Sequence, residues 1–367
     1  MHRFRSISIA LILLCAACVD RIIIDTGTVA NYAIVIDGFI SDQPGPYTIQ
    51  VTKAFDIESK QSIKTPILLK KLTISDDFGN KEDLSSPSTG VYKTAVNGIR
   101  GVVGRAYKIH IELLDGRVYE SIPDTLHSAG SIDKVYSQFK AETNSDGSAK
   151  YGFDVLFNST AGSKKSYFFL WKFVGTFQVE TLPALHTETC GQGTCPIPPE
   201  CSGYNKALEQ IGPCTCCTCW YDFFNNDLIL SEGQFVKDGQ YTGVVANYVP
   251  VNQWTFLHKV HAEVQQFSLS RQAYEFWKGV KAQKNASASL FQPITGKVGG
   301  NFVQLSGPEA PIDGIFYATS IIKGSTFINR EDVPIKNAIP DISLPFTDDC
   351  KKLFPYATVT RPAYWTD

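Results

Sequence analysis

The sequence is poor in what would make a protein helical, nucleic-acid-binding or membrane-spanning. Its 367 residues include a single methionine, and helix-friendly stretches are scarce. Charged residues make up 19%, with 34 Lys plus Arg against 36 Asp plus Glu. No excess of either sign therefore draws the chain to nucleic acid or to an anionic surface. Beyond the N-terminal leader, no apolar run is long enough to cross a bilayer as a helix. Also missing are G-x-S-x-G, H-E-x-x-H, a Walker-type loop and G-x-G-x-x-G, the signatures of several large enzyme classes. What is plentiful is Phe (23), Tyr (16), Gly (28) and Pro (19), in a chain that is 43% hydrophobic. That composition supports a sizeable core and excludes a disordered or fibrous chain. With its runs of Val, Ile and Thr, it predicts a mostly β protein of two or three domains.

The first eighteen residues have the layout of an export signal. Arg3 and Arg5 precede an apolar stretch, Ser6 to Leu14, too short to span a membrane. It ends in Cys15-Ala16-Ala17-Cys18, which resembles a bacterial lipobox. Cys18 is the expected lipid-bearing residue, because Leu14 is too large for the position before a cut at Cys15. The sequence thus predicts a signal peptide over 1–17, a tether over 18–30 and a soluble body held at a membrane by acyl chains. Each buried CH₂ of such a chain contributes about 0.8 kcal/mol.

Eight further cysteines remain: Cys190, Cys195, Cys201, Cys214, Cys216, Cys217, Cys219 and Cys350. An even number in an exported chain points to disulfides, with the pairing left open. Seven lie within 190–219, among Gly and Pro, as expected of a stapled insertion. Cys350 is expected to tie the C-terminal tail back to it. The rival reading, a zinc knuckle on Cys214-Thr215-Cys216-Cys217-Thr218-Cys219, suffers from pairs packed too tightly for a structural zinc site.

Period-two alternation marks strands at Ala33–Ile40, Tyr47–Thr52, Leu68–Ser75 and Gly90–Thr94. The clearest hairpin is Ala106–Leu114 and Arg117–Ser121 around Asp115-Gly116, whose turn needs positive φ. Residues 31–125 therefore read as an immunoglobulin-like β-sandwich. After a boundary at Pro123 to Gly130, a larger β-rich domain over 131–367 is expected, carrying the Cys-rich insertion. Its strands are expected at Lys134–Glu142, Tyr151–Phe157, Ser166–Val174, Asp227–Leu230 and Trp254–Phe267. One amphipathic helix begins at an N-capping Ser270, with Ala273, Phe276, Trp277 and Val280 on one face and a stop near Asn285. The tail from Pro334 is expected to wrap the surface.

Chemistry is sparse. His258 and His261 form H-x-x-H, but on the expected strand residues three apart point to opposite faces and cannot share a metal. Asp76-Asp77-Phe78-Gly79-Asn80 lacks the spacing of a calcium loop and reads as a turn. No catalytic, metal or cofactor assignment follows. Aromatic residues are expected mainly in the core, with Trp365, two residues from the end, either docking the tail or contacting a partner.

The chain resembles the outer-membrane lipoproteins of Bacteroidota grouped as domain-of-unknown-function family 4249. The resemblance rests on Val35 through Tyr47 (VIDGFISDQPGPY), Gly90-Val91-Tyr92, Gly101 through Tyr107 (GVVGRAY) and Asp115 through Ser121 (DGRVYES). It continues with Val264 through Trp277 (VQQFSLSRQAYEFW), Gly299-Gly300-Asn301, Gly314 through Ala318 (GIFYA) and the closing Trp365. It implies a lipid-anchored accessory protein at the outer membrane, with a TonB-dependent receptor or other β-barrel assembly as partner and no assigned catalytic residues. An extracellular glycan- or peptide-binding module is the alternative. A hydrolase with dispersed carboxylates is the third reading.

Overall fold

The computed structural model describes residues 33–53, 65–162, 168–232, 236–287, 298–335, 337–339 and 346–366. The leader, Cys18 and the tether lie outside these residues. Alternation works as expected in the first half. In the strand Ala106–Leu113, Tyr107, Ile109, Ile111 and Leu113 are buried while the residues between them are partly exposed.

Nine strands precede the expected boundary: β1 (Ile34–Ser41), β2 (Thr48–Lys53), β3 (Leu69–Asp76), β4 (Lys81–Asp83), β5 (Ser85–Ser88), β6 (Val91–Lys93), β7 (Ala106–Leu113), β8 (Val118–Ser121) and β9 (Asp124–Thr125). Ten follow: β10 (Ser131–Thr143), β11 (Ala149–Thr160), β12 (Phe169–Glu180), β13 (Thr187–Cys190), β14 (Gly193–Pro196), β15 (Thr218–Phe224), β16 (Ile229–Leu230), β17 (Val236–Lys237), β18 (Gln240–Pro250) and β19 (Lys259–Ser268). Then come helix α1 (Arg271–Ser287), β20 (Phe302–Ser306), β21 (Ile312–Thr319), β22 (Ile321–Asn329) and a short helix α2 (Cys350–Leu353).

The fold is two β-sandwiches. In the first, the sheet β21-β1-β2-β6-β5 faces the sheet β20-β8-β7-β3-β4 across a core that includes Ile36, Val51, Ile74, Tyr107, Tyr119 and Phe316. In the second, β10-β11-β18-β17 faces β15-β12-β19-β22, with Trp171, Phe157, Phe173 and Tyr241 between them.

The expected division at residue 131 leaves two strands unaccounted for. β20 and β21 lie far beyond it in sequence, yet they pair with β8 and β1 and complete the first sandwich. The β1–β21 pairing is parallel, from Ile34 beside Ile312 to Ser41 beside Thr319. Gly314 makes this contact possible: its φ is +95°, and a Cβ there would meet the Ile36 carbonyl oxygen at 1.9 Å.

Helix α1 caps the junction of the sandwiches. Ser270 Oγ accepts the Ala273 N–H at 3.1 Å, the N-cap expected from sequence, and the helix runs two residues past Asn285. Ala273 and the partly buried Tyr274, Phe276 and Trp277 join Leu170, Phe267, Tyr317 and Phe39 in a third apolar cluster. Polar bonds tie the seam. Gln266 links Trp171 Nε1 on one side to the Ala129 carbonyl on the other, and Ser268 Oγ donates to the His127 carbonyl at 2.6 Å. The Asp124 carboxylate accepts the Ala318 N–H at 2.8 Å, while burial raises its pKa against the opposing Ser270 and Ala318 hydrogen bonds.

The expected strand Trp254–Phe267 begins later, at Lys259. Asn252 Oδ1 accepts the Trp254 and Thr255 N–H groups at 2.9 and 3.0 Å, so its side chain holds a turn where continued strand was expected.

Candidate functional site

The eight candidate cysteines, His258, His261 and Trp365 gather toward the end of the second sandwich away from the seam. β12 leaves the seam at Phe169 and reaches this end at Glu180, where the Cys-rich insertion begins. All eight candidate cysteines are paired. Cys190–Cys195 closes the β13–β14 hairpin, Cys201–Cys216 and Cys214–Cys217 fold the following loop, and Cys219–Cys350 pins α2 to β15. The tie between Cys350 and the insertion is thus present, with Cys219 as the partner. Sulfur atoms of Cys201 and Cys216 and an Asp349 oxygen lie within 4.8 Å of one another. The sulfurs are bonded to each other, which leaves no thiolate there to ligate a metal.

Beyond α2 the tail crosses the outer face of the sheet β15-β12-β19-β22. Strand register places Thr176, Asp222, His261 and Phe327 side by side on that face. Tyr364 stacks on His261 with ring centroids 4.1 Å apart and planes 20° apart. Its hydroxyl lies 2.9 Å from Thr176 Oγ1, which donates to Asp222 at 2.6 Å. Trp365 lies edge-on to Phe327 at 5.7 Å and to Trp220 at 6.4 Å.

Of the two readings of Trp365, tail docking and partner contact, the structure shows the docked tail. The ring is 5% exposed, because docking it covers the rims of Trp220 and Phe327 and buries three aromatic surfaces at once. It anchors the tail to its own chain.

The two histidines do not share the expected strand, because β19 begins only at Lys259. His261 lies within β19, 3% exposed, and burial lowers its pKa against the opposing fields of Glu263 and Asp222. His258 precedes the strand and meets Glu180 at 2.9 Å on the surface. Asp76 and Asp77 form a turn, as read: both carboxylates bind Arg105, at 2.8 and 2.5 Å, and the Arg105 guanidinium lies 3.3 Å from the Phe78 ring centroid.

Two features escaped sequence reading. A groove of about 600 Å³ runs between β16, β18 and α1, lined by Asn225, Asn247, Tyr248 and the pairs Lys281–Glu232 and Lys284–Asp227. On the first sandwich, the outer face of β3, β7 and β8 carries interlocked charges. His110 lies between Glu120 at 3.5 Å and Glu112 at 4.0 Å, and these meet Lys108 and Lys70. Same-face spacing at 108, 110 and 112 carried a signal for the second feature. The groove joins three distant segments and left none.

Two sandwiches, a helix at their seam and a disulfide-stapled far end define a mostly β body. The family profile described as Domain of unknown function (DUF4249) matches residues 22–324, and the chain belongs to that family. The match ends within β22, so Cys350, α2 and Trp365 lie outside it. No curated protein matches the chain.

Proposed function

We propose that the chain is an exported lipoprotein, anchored through Cys18, that acts by binding, not by chemistry, as an accessory subunit of an outer-membrane β-barrel assembly. A TonB-dependent receptor of a Bacteroidota outer membrane is the partner that the family resemblance suggests. The observation that carries the reading is the set of four disulfides. Such a set persists in an oxidising compartment, in keeping with the leader that precedes Cys18.

The arrangement of the body fits a tethered binder. β1 begins at Ile34, a short span after Cys18, at the end away from the stapled tip. No helix among the described residues is long and apolar enough to cross a membrane. Confinement to a membrane surface raises the local concentration beside a partner, so a modest interface suffices.

Two measurements test this. Cys18→Ala should move the protein from the membrane to the soluble fraction and abolish incorporation of a labelled fatty acid, with its melting transition unchanged. Purification of the tagged native protein from gently solubilised membranes should bring a β-barrel protein in stoichiometric amount. Recovery of the abundant protein alone would remove the accessory reading.

A second reading, capture of a small polar ligand, draws on the groove between β16, β18 and α1, where Asn225, Asn247 and Tyr248 offer polar groups beside apolar β18. It predicts saturable ligand binding by the soluble body that Asn247→Ala weakens.

A further inference from the structure

The tail is held in two different ways along its length. Up to Thr358 it is fixed by the Cys219–Cys350 bond and by a reciprocal backbone pair with Trp220, at 2.8 and 2.9 Å. Past Thr358, no backbone hydrogen bond joins residues 359–366 to the sheet among the described residues. Docking there rests on side chains: the Tyr364 and Trp365 rings, the Tyr364 hydroxyl at Thr176, and Thr366 Oγ1 at 3.3 Å from Lys259 Nζ. The segment also shapes itself. Arg361 reaches the Trp365 carbonyl at 3.0 Å, and the Trp365 N–H donates to Pro362.

A self-shaped turn anchored by two adjacent aromatic rings in a recess is how a peptide ligand binds. One wall of the recess, Trp220, carries a donor without a partner among the described residues. Trp220 is 8% exposed, and its buried Nε1–H has no acceptor among the described residues. Such a group costs about 1–3 kcal/mol when left unpaired, so an occupant that supplied an acceptor would bind more tightly.

We propose that the recess formed by Trp220, His261, Phe327, Thr176 and Lys259 is a binding site for a peptide turn with an adjacent Tyr–Trp pair, occupied in cis by the chain's own residues 361–366. The disulfide at Cys350 makes this arrangement workable, because the last residues can leave without freeing the rest of the tail. The same bond keeps them at a local concentration in the millimolar range, so a competitor in trans must exceed that or add contacts such as an acceptor for Trp220. The inference stands independently of anchoring through Cys18.

The test uses a fluorescent synthetic peptide of residues 359–367 and the disulfide-bonded protein. Intact protein should bind it negligibly. Protein ending at Thr358 should bind it saturably, with a Kd below about 100 μM, as expected for a buried Trp365 anchor beside the exposed but stacked Tyr364. Phe327→Ala in the shortened chain should weaken binding about tenfold, and a peptide with both aromatics replaced by Ala should not bind. If shortening abolishes the melting transition, the full-length Tyr364→Ala/Trp365→Ala protein takes its place and should bind the peptide likewise. Equal binding to intact and tail-altered protein would overturn the proposal. So would no binding to a folded tail-altered protein, or binding indifferent to Phe327→Ala.

Discussion

The two sandwiches close in opposite ways. The first has no cysteine among its described strands and is sealed by β20 and β21, which follow β10–β19 and α1 in sequence. The second takes its strands, β22 apart, from the continuous stretch 131–268 and is sealed at its tip by four disulfides and a docked tail. Both use long-range strand pairing, but only the second adds covalent bonds. Stability in the first should therefore be indifferent to reductant and sensitive to backbone fit, and the reverse should hold at the tip of the second.

The largest expected effects test that contrast directly. Cys219→Ser/Cys350→Ser opens a loop of sequence separation 131 and should cost about 2–5 kcal/mol. Chemical denaturation followed by tryptophan fluorescence reads this well, since four of the five tryptophans belong to the second sandwich and its tail and the fifth to α1. Gly314→Ala should cost about 2–4 kcal/mol through the clash with the Ile36 carbonyl, with hydrogen exchange accelerated first in β1 and β21. Equal acceleration throughout the second sandwich would show the two bodies to be one cooperative unit. Ser270→Ala removes the cap of α1 at the seam and should cost about 1 kcal/mol in the melting transition.

The smallest effect is a matter of pH. Burial lowers the pKa of His261 in the docked state, so the docked state binds fewer protons than the undocked one. Docking should be fully stable above the ordinary histidine pKa of about 6.5 and lose stability as pH falls below it. The facing groups are Tyr364 from the tail, Asp222 from β15, Glu263 and Lys259 from β19, and Lys323 from β22. Carboxypeptidase digestion of the tail should quicken between pH 7 and pH 5, and His261→Phe should flatten that dependence.

Local signals were legible where a single segment decides its own structure. The hairpin through Asp115-Gly116 and the cap at Ser270 follow from turn and cap chemistry within a few residues. β21 was not legible as a strand because six successive residues, Gly314–Thr319, are buried, which erases the alternation that marks a half-exposed strand. β18 was hidden by irregular pairing with β11, which shifts register twice and breaks its period. The eight paired cysteines were foreseeable as a set, but their partners depend on where the chain folds back. Trp365 needed the same long-range information: nothing beside it in sequence announces Trp220 or Phe327.

The parallel pairing of Ile34–Ser41 with Ile312–Thr319 also imposes an order of events. A chain that crosses a membrane N-terminus first delivers β1 early and must wait for almost three hundred further residues before the neighbour of β1 arrives. Throughout that wait one flank of β1 lacks its partner and offers unpaired amides to any passing strand. The first strand of the body to be made is thus among the last to gain both of its neighbours.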